Sequence, residues 1–141
     1  MGTQQILMIV LSVIIVGAAV AVGIQMFDTQ ATNAQRNAIA ADIQNFGAQV
    51  LAFQRTPTSM GGGKGATNLK EAEANLAQYL GFTGTGYTLE NVNAVYTLSV
   101  DANIATITGV QDKITATGEI DVTKEADDAI KITFSTTKPN N

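Results

Sequence analysis

The sequence predicts an α+β fold. A long N-terminal helix, apolar in its first half and amphipathic in its second, packs on a small antiparallel β-sheet, with a short second helix. Three observations predict it. Ile6 to Ile24 is an apolar run without a charge. Ile39, Ile43, Phe46, Val50 and Phe53 then recur at spacings of 4, 3, 4 and 3, one stripe along one side of a helix. From Tyr96 onward, apolar and polar residues alternate with the two-residue period of half-buried strands.

The apolar run reads ILMIVLSVIIVGAAVAVGI, with Ser12, Gly17 and Gly23 as its interruptions. As a helix it measures roughly 28 Å at about 1.5 Å per residue, close to a hydrocarbon core of about 30 Å. It is hydrophobic on all sides, so it has no wet face. Thr3 is a suitable N-cap. The residues before the run, Met1-Gly2-Thr3-Gln4-Gln5, contain no Lys or Arg, and helix-compatible sequence follows the run directly. That is unlike a cleaved secretory signal, and the segment is expected to stay in the working protein. Pro57 disfavours helix at Thr56, so the first helix is expected to end near Arg55.

Thr56–Thr67 is rich in Gly and turn formers and reads as a flexible surface loop. Its Gly63-Lys64 pair does not make a phosphate loop, because Gly65 and Thr58 stand where that motif needs Ser or Thr and Gly. Asn68 with Glu71 resembles a capping box. Leu69, Ala72, Leu76 and Leu80 give the second helix one apolar face, and Gly81 stops it, with Phe82 closing the cap. Strands follow at Tyr96–Val100, Ile104–Val110, Ile114–Val122 and Ile130–Ser135, with a tight turn at Asp101–Asn103. The 39/43/46/50/53 stripe is the natural cover for the buried face of that sheet.

The chain has 141 residues, a net charge of −4, and neither Cys nor His. Disulfides, thiolate metal sites, a Cys nucleophile and a His base are excluded. The acidic balance gives no footprint for nucleic acid. Asp121, Glu125, Asp127 and Asp128 lack EF-hand spacing and read as a solvated acidic turn. Tyr79, Tyr87 and Tyr96 read as core-edge residues. No N-x-S/T sequon occurs, so sugars, if carried, would be O-linked on surface Thr and Ser.

A long helix with an apolar half and an amphipathic half laid on a small antiparallel sheet resembles the type IV pilin family. The resemblance is architectural over the whole chain and lies, in sequence, in the N-terminal apolar stretch. It implies a mature product from which a prepilin peptidase has cut a short basic leader, with Met1 as the N-methylated first residue. It implies residues 1–55 as the helix, of which 1–27 lie in the membrane and later in a filament core, and 56–141 as the head packed on the helix's second half. The implied function is that of a non-enzymatic structural subunit of an extracellular, adhesive filament. It would be held in the cytoplasmic membrane before assembly and polymerise as a helical homopolymer. A separate ATPase would drive assembly, and no cofactor, metal or nucleic acid is implied.

The subunit-packing residues would be Gln5, Leu7, Val10, Val13, Ile14, Gly17, Ala18, Ala21, Gly23 and Ile24. The chain departs from the family in three places. Gln5 replaces the Glu that many bacterial members pair with a neighbour's amine, the apolar helix has no Pro, and the C-terminal disulfide loop is impossible. An unbroken helix is therefore expected across Ile6–Ile24. Two other readings stay open: a pseudopilin of a secretion system, and a membrane-anchored surface domain that does not polymerise.

Overall fold

The computed structural model describes residues 2–125 and 127–136. Helix α1 runs Gly2–Arg55, α2 runs Glu73–Leu80, and five strands follow: β1 Thr88–Glu90, β2 Val95–Asp101, β3 Ile104–Gln111, β4 Ile114–Asp121 and β5 Ile130–Thr136. The fold is α+β, with the long helix packed on an antiparallel sheet and a short second helix beside it. The chain divides into two compact units, one ending at Ala34 and one starting at Gln35. The globular unit therefore begins inside α1.

The sheet is a meander in the order β1-β2-β3-β4-β5, every pair antiparallel. Two-residue turns join β2 to β3 and β3 to β4. Each opens on a residue with positive φ, Ala102 (49°) and Asp112 (47°), which suits the twist of a tight hairpin. The inward side chains are Tyr96, Leu98 and Val100 on β2, Ala105 and Ile107 on β3, and Ile114, Ala116 and Ile120 on β4, every second residue of each strand. Strand β1 is an addition to the sequence reading. It has three residues and pairs only with Val95–Thr97, too short for a period to show. Beyond it the free edge of β2 is closed by other groups. Tyr87 O accepts from Leu98 N–H at 2.9 Å, and Glu73 Oε1 accepts from Val100 N–H at 3.1 Å.

Helix α1 covers this face through Ile39, Ile43, Phe46, Val50 and Phe53, all buried, together with Gly47. The approach is close because glycines stand where the surfaces meet. Ile43 sits over Gly118 of β4, and a Cβ there would overlap its Cγ2. A Cβ on Gly109 of β3 would stand 3.0 Å from Ile39 Cγ2 and 2.7 Å from the Tyr96 ring. On the helix side, a Cβ on Gly47 would meet Ile130 Cδ1 of β5 at 2.7 Å. Ile39, Ile43 and Gly47 thus advance across the sheet by one strand per helical turn. Phe46 closes the flank toward α2, edge-on to Phe82 at 5.5 Å and to Tyr96 at 5.3 Å between ring centroids. The second helix adds Leu76, Ala77 and Leu80 to the same core.

The second helix is not uniform. Leu69–Ala72 is a 3₁₀ turn and only Glu73–Leu80 is α-helical. The first turn is held by the β2–β3 hairpin, where Leu69 N–H donates to Asn103 Oδ1 at 3.1 Å and Lys70 N–H to Ala102 O at 2.9 Å. Asn68 Oδ1 caps Glu71 N–H at 3.1 Å, and Glu71 Oε2 reaches back to Thr67 N–H at 3.1 Å, one residue earlier than in a standard capping box. Gly81 ends α2 in the left-handed region at φ 82°, and Phe82 is buried against the core.

Asp42, on the flank of the stripe, ties α1 to the loop before β2. Its Oδ2 accepts from Tyr96 Oη at 2.7 Å, Asn93 Nδ2 at 2.8 Å and Asn91 Nδ2 at 3.0 Å. Asn91 Oδ1 accepts from Asn93 N–H at 2.8 Å and Ala94 N–H at 3.0 Å, which folds the loop that presents both amides. Partial burial pushes the Asp42 carboxyl up, but the three hydrogen bonds outweigh it and hold the group below the usual carboxylate range. Burial, with the carboxylate beside it, pushes the Tyr96 hydroxyl well above its ordinary range, so it stays a donor.

Two predictions follow from this packing. Gly118→Ala is expected to destabilise the head by about 1–3 kcal/mol, the usual range for overpacking, although Ala is otherwise better than Gly in a strand. Ile43→Ala in the same chain should recover part of that loss. Urea unfolding of the four chains of that cycle, in detergent, measures it, and additive losses would remove the contact from the account. For Asp42→Ala, the expected cost at neutral pH is about 1–3 kcal/mol, because a buried hydroxyl loses its acceptor. The folded carboxyl titrates below the unfolded one. Its contribution is thus complete above the ordinary value of about 4 and is lost as pH falls through the folded value. Wild-type and variant unfolding midpoints should converge on acidification below about pH 4. A constant gap would contradict the assignment.

Candidate interaction surface

The N-terminal half of α1 has the composition of a core and the exposure of a surface. Between Ile6 and Phe27 the large apolar side chains are 52–77% exposed, Val10 least and Phe27 most. The segment is long and apolar enough to cross a membrane, and none of it is buried within the chain. Ser12 is its only polar side chain between Ile6 and Ile24, and its hydroxyl donates back to Met8 O at 2.7 Å. The span therefore presents no unpaired polar side chain to an apolar surrounding. Thr29 and Thr32 bond back in the same way, to Gln25 O and Asp28 O, each at 2.9 Å.

All the packing residues read from the sequence lie on the N-terminal half of α1; Met1, the residue expected to be N-methylated, lies outside the described residues. Leu7, Val10, Ile14, Gly17, Ala21 and Ile24 fall at alternating spacings of 3 and 4 and so share one side of α1. Val13 and Ala18 flank that side, Gly23 lies on another side of the helix, and Gln5 precedes the stripe, exposed. Nothing lies within 4 Å of a Cβ placed on Gly17 or Gly23. Small residues there leave a shallow place along the helix into which another backbone fits closely. With no titratable side chain from Gly2 to Phe27, the surface offers burial and close packing, not acid–base chemistry.

The remaining candidates resolve into structure. The Gly-rich loop, expected to be a flexible surface loop, folds back on the end of α1. Gly63 N–H donates to Phe53 O and Lys64 N–H to Thr56 O, both at 3.0 Å, while Gly62 N–H donates to Pro57 O at 3.1 Å. These amides satisfy carbonyls at and just beyond the helix terminus, so they do not form a cradle for an anion. Asp121 folds its own turn. Its Oδ1 accepts from Thr123 Oγ1 at 2.6 Å and Thr123 N–H at 3.0 Å, and these bonds hold its carboxyl below the usual range. Among the described residues no three acidic side chains converge on a cation site. Tyr96 is buried in the core, Tyr87 is half-buried, and Tyr79 is exposed with its ring 5.5 Å from that of Phe53.

Sequence reasoning placed the apolar surface but missed two features that shape the head. One is the Asp42 clasp, for which an Asp among apolar stripe residues was the available signal. The other is the set of three glycines where helix and sheet meet, Gly47 on α1 and Gly109 and Gly118 at inward positions of strands. Compared with known proteins, the chain matches no family model, no curated protein and no solved structure.

Proposed function

We propose that this protein is a structural subunit of an extracellular, type IV pilus-like filament, and that it acts by assembly rather than catalysis. The observation that carries the reading is the exposure of Ile6–Phe27 on a helix that continues, as one element, into the core of the head. A plain anchor needs only a span joined to its domain by a polar linker. Here the span and the head share α1. Before assembly the apolar half lies in the cytoplasmic membrane. In the filament, neighbouring copies replace the lipid around it.

Lipid is already apolar, so that exchange gains little hydrophobic energy, and close packing between helices supplies the drive. Gly17, Ala18, Ala21 and Gly23 provide it. Gln5 is neutral, and its amide is suited to a hydrogen bond with an adjacent helix. Pilus machinery with its own ATPase would extract the subunit, and a prepilin peptidase would prepare it. Adhesion, like the pseudopilin and simple-anchor alternatives, is decided by what the cell surface carries.

Val13→Asp tests the reading. A carboxylate at that depth costs about 2.5–3.5 kcal/mol in a bilayer, and it would disrupt a helix-packed core as well. Electron microscopy of material sheared from cells should show long filaments containing the wild-type chain and none from the variant. Absence of wild-type filaments favours the anchor or the pseudopilin. Normal filaments from Val13→Asp would mean that the segment is not their core.

A further inference from the structure

An apolar surface that is the same all round fixes that copies associate but not how far one is shifted along the next. Burial is non-directional, and sliding one such helix along another exposes little. Residues 28–38 follow the apolar half and contain no large apolar side chain, only polar residues and Ala. The stretch offers polar side chains and the small methyls of Ala31, Ala34 and Ala38. Within Gly2–Ala41 just two residues are charged, Asp28 and Arg36, and they have opposite signs.

Among the described residues neither is paired. The ion pairs among the described residues are Lys70–Glu73 and Lys124–Asp121. Asp28 is exposed. Arg36 is half-buried, and its Nε is shielded from solvent without an acceptor. The next acid along α1, Asp42, is engaged by Tyr96, Asn91 and Asn93. Asp28 and Arg36 cannot satisfy each other in one copy, because helical partners stand three or four residues apart and these are eight apart. Eight residues of helix correspond to a rise of about 12 Å and a turn of about 80°. The two charges therefore point to different sides of α1. Head-to-tail association requires that arrangement, since one face of a copy meets a different face of the next.

We propose that Asp28 of one copy pairs with Arg36 of its neighbour and sets the axial register between parallel copies at about eight residues, or roughly 12 Å. The inference rests on the filament reading and adds to it the contact that specifies the stagger. A mis-registered neighbour would leave both charges unpaired at a packed interface, which is how one polar pair selects a single alignment among many equivalent apolar ones.

The test compares wild type, Asp28→Arg, Arg36→Asp and the double reversal Asp28→Arg/Arg36→Asp. Sheared filaments are quantified by pelleting and electron microscopy, relative to subunit extracted from the membrane. Each single reversal should lower filament yield roughly tenfold or more, since like charges are then opposed at the interface. The double reversal should restore wild-type yield. Co-expression of the two single variants should also restore assembly, because the reversed acid of one matches the reversed base of the other, and that rescue requires both chains to be folded. Single variants that assemble normally overturn the pairing. So does a double reversal no better than the singles, or co-expression that rescues nothing. Absence of filaments from wild type instead overturns the filament reading itself.

Discussion

The head depends on one close contact, Ile43 of α1 seated over Gly118 of β4. A side chain on the strand at that point would hold the helix off the sheet. With glycine there, and with Gly109 beneath Ile39 and Gly47 facing Ile130, the helix settles low enough for its branched residues to pack against the sheet's inner face. Interiors reward such fit, because dispersion falls quickly with separation. The glycines carry a cost, since Gly weakens a strand and a helix alike. The gain is depth of packing along three successive turns of α1. The core of Phe46, Tyr96 and Phe82 then closes beside it, and α2 completes that flank.

Depth alone does not orient a helix on a sheet. Asp42 supplies the orientation, because its Oδ2 collects three donors from a strand and from the loop before it. Apolar packing tolerates a small rotation of α1, whereas a carboxylate with three donors on one oxygen tolerates much less. Tyr96 joins the two devices. Its ring packs against Phe46 and limits the space above Gly109, and its hydroxyl donates to Asp42. A buried Tyr normally needs such a partner for its hydroxyl. The same residue is thus fixed by packing at one end and by charge-assisted bonding at the other.

Much of this was legible in the sequence, for physical reasons. The helix was legible because Pro57 marks its end and the change from an all-round to a one-sided apolar pattern lies within one helical stretch. The strands β2 to β5 were legible because one face is buried and one is wet, so the period shows. Strand β1 was not, because three residues carry no period. The split of the second helix was not, because it depends on Asn103 and Ala102, which are distant in sequence and reach its first amides. The hydrogen bonding of the Gly-rich loop was not, because composition records conformational freedom but not the free carbonyls at the end of α1 that take its amides. The apolar half of α1 was read without difficulty. The sequence also implied what surrounds it only through a family resemblance, since any apolar environment satisfies the same side chains.

That indifference is itself informative about how such a subunit would work. The large apolar residues of α1 fall into two groups, ending at Phe27 and resuming at Ile39. Those from Ile39 onward are consumed by the head, in contacts that require particular partners at particular depths. Those up to Phe27 require only that their surroundings be apolar. The intervening polar stretch has no large side chain to bury in either. A change in the surroundings of the first group, from lipid to protein, therefore removes none of the contacts that hold the second. In a subunit that moved from membrane to filament, the head would keep its fold, and assembly would not have to be coupled to its refolding. What such a design lacks is specificity in the apolar half, and specificity in an apolar interface comes from the few polar groups that cannot tolerate the wrong neighbour. On α1 before Ile39, the charged groups that could supply it are Asp28 and Arg36.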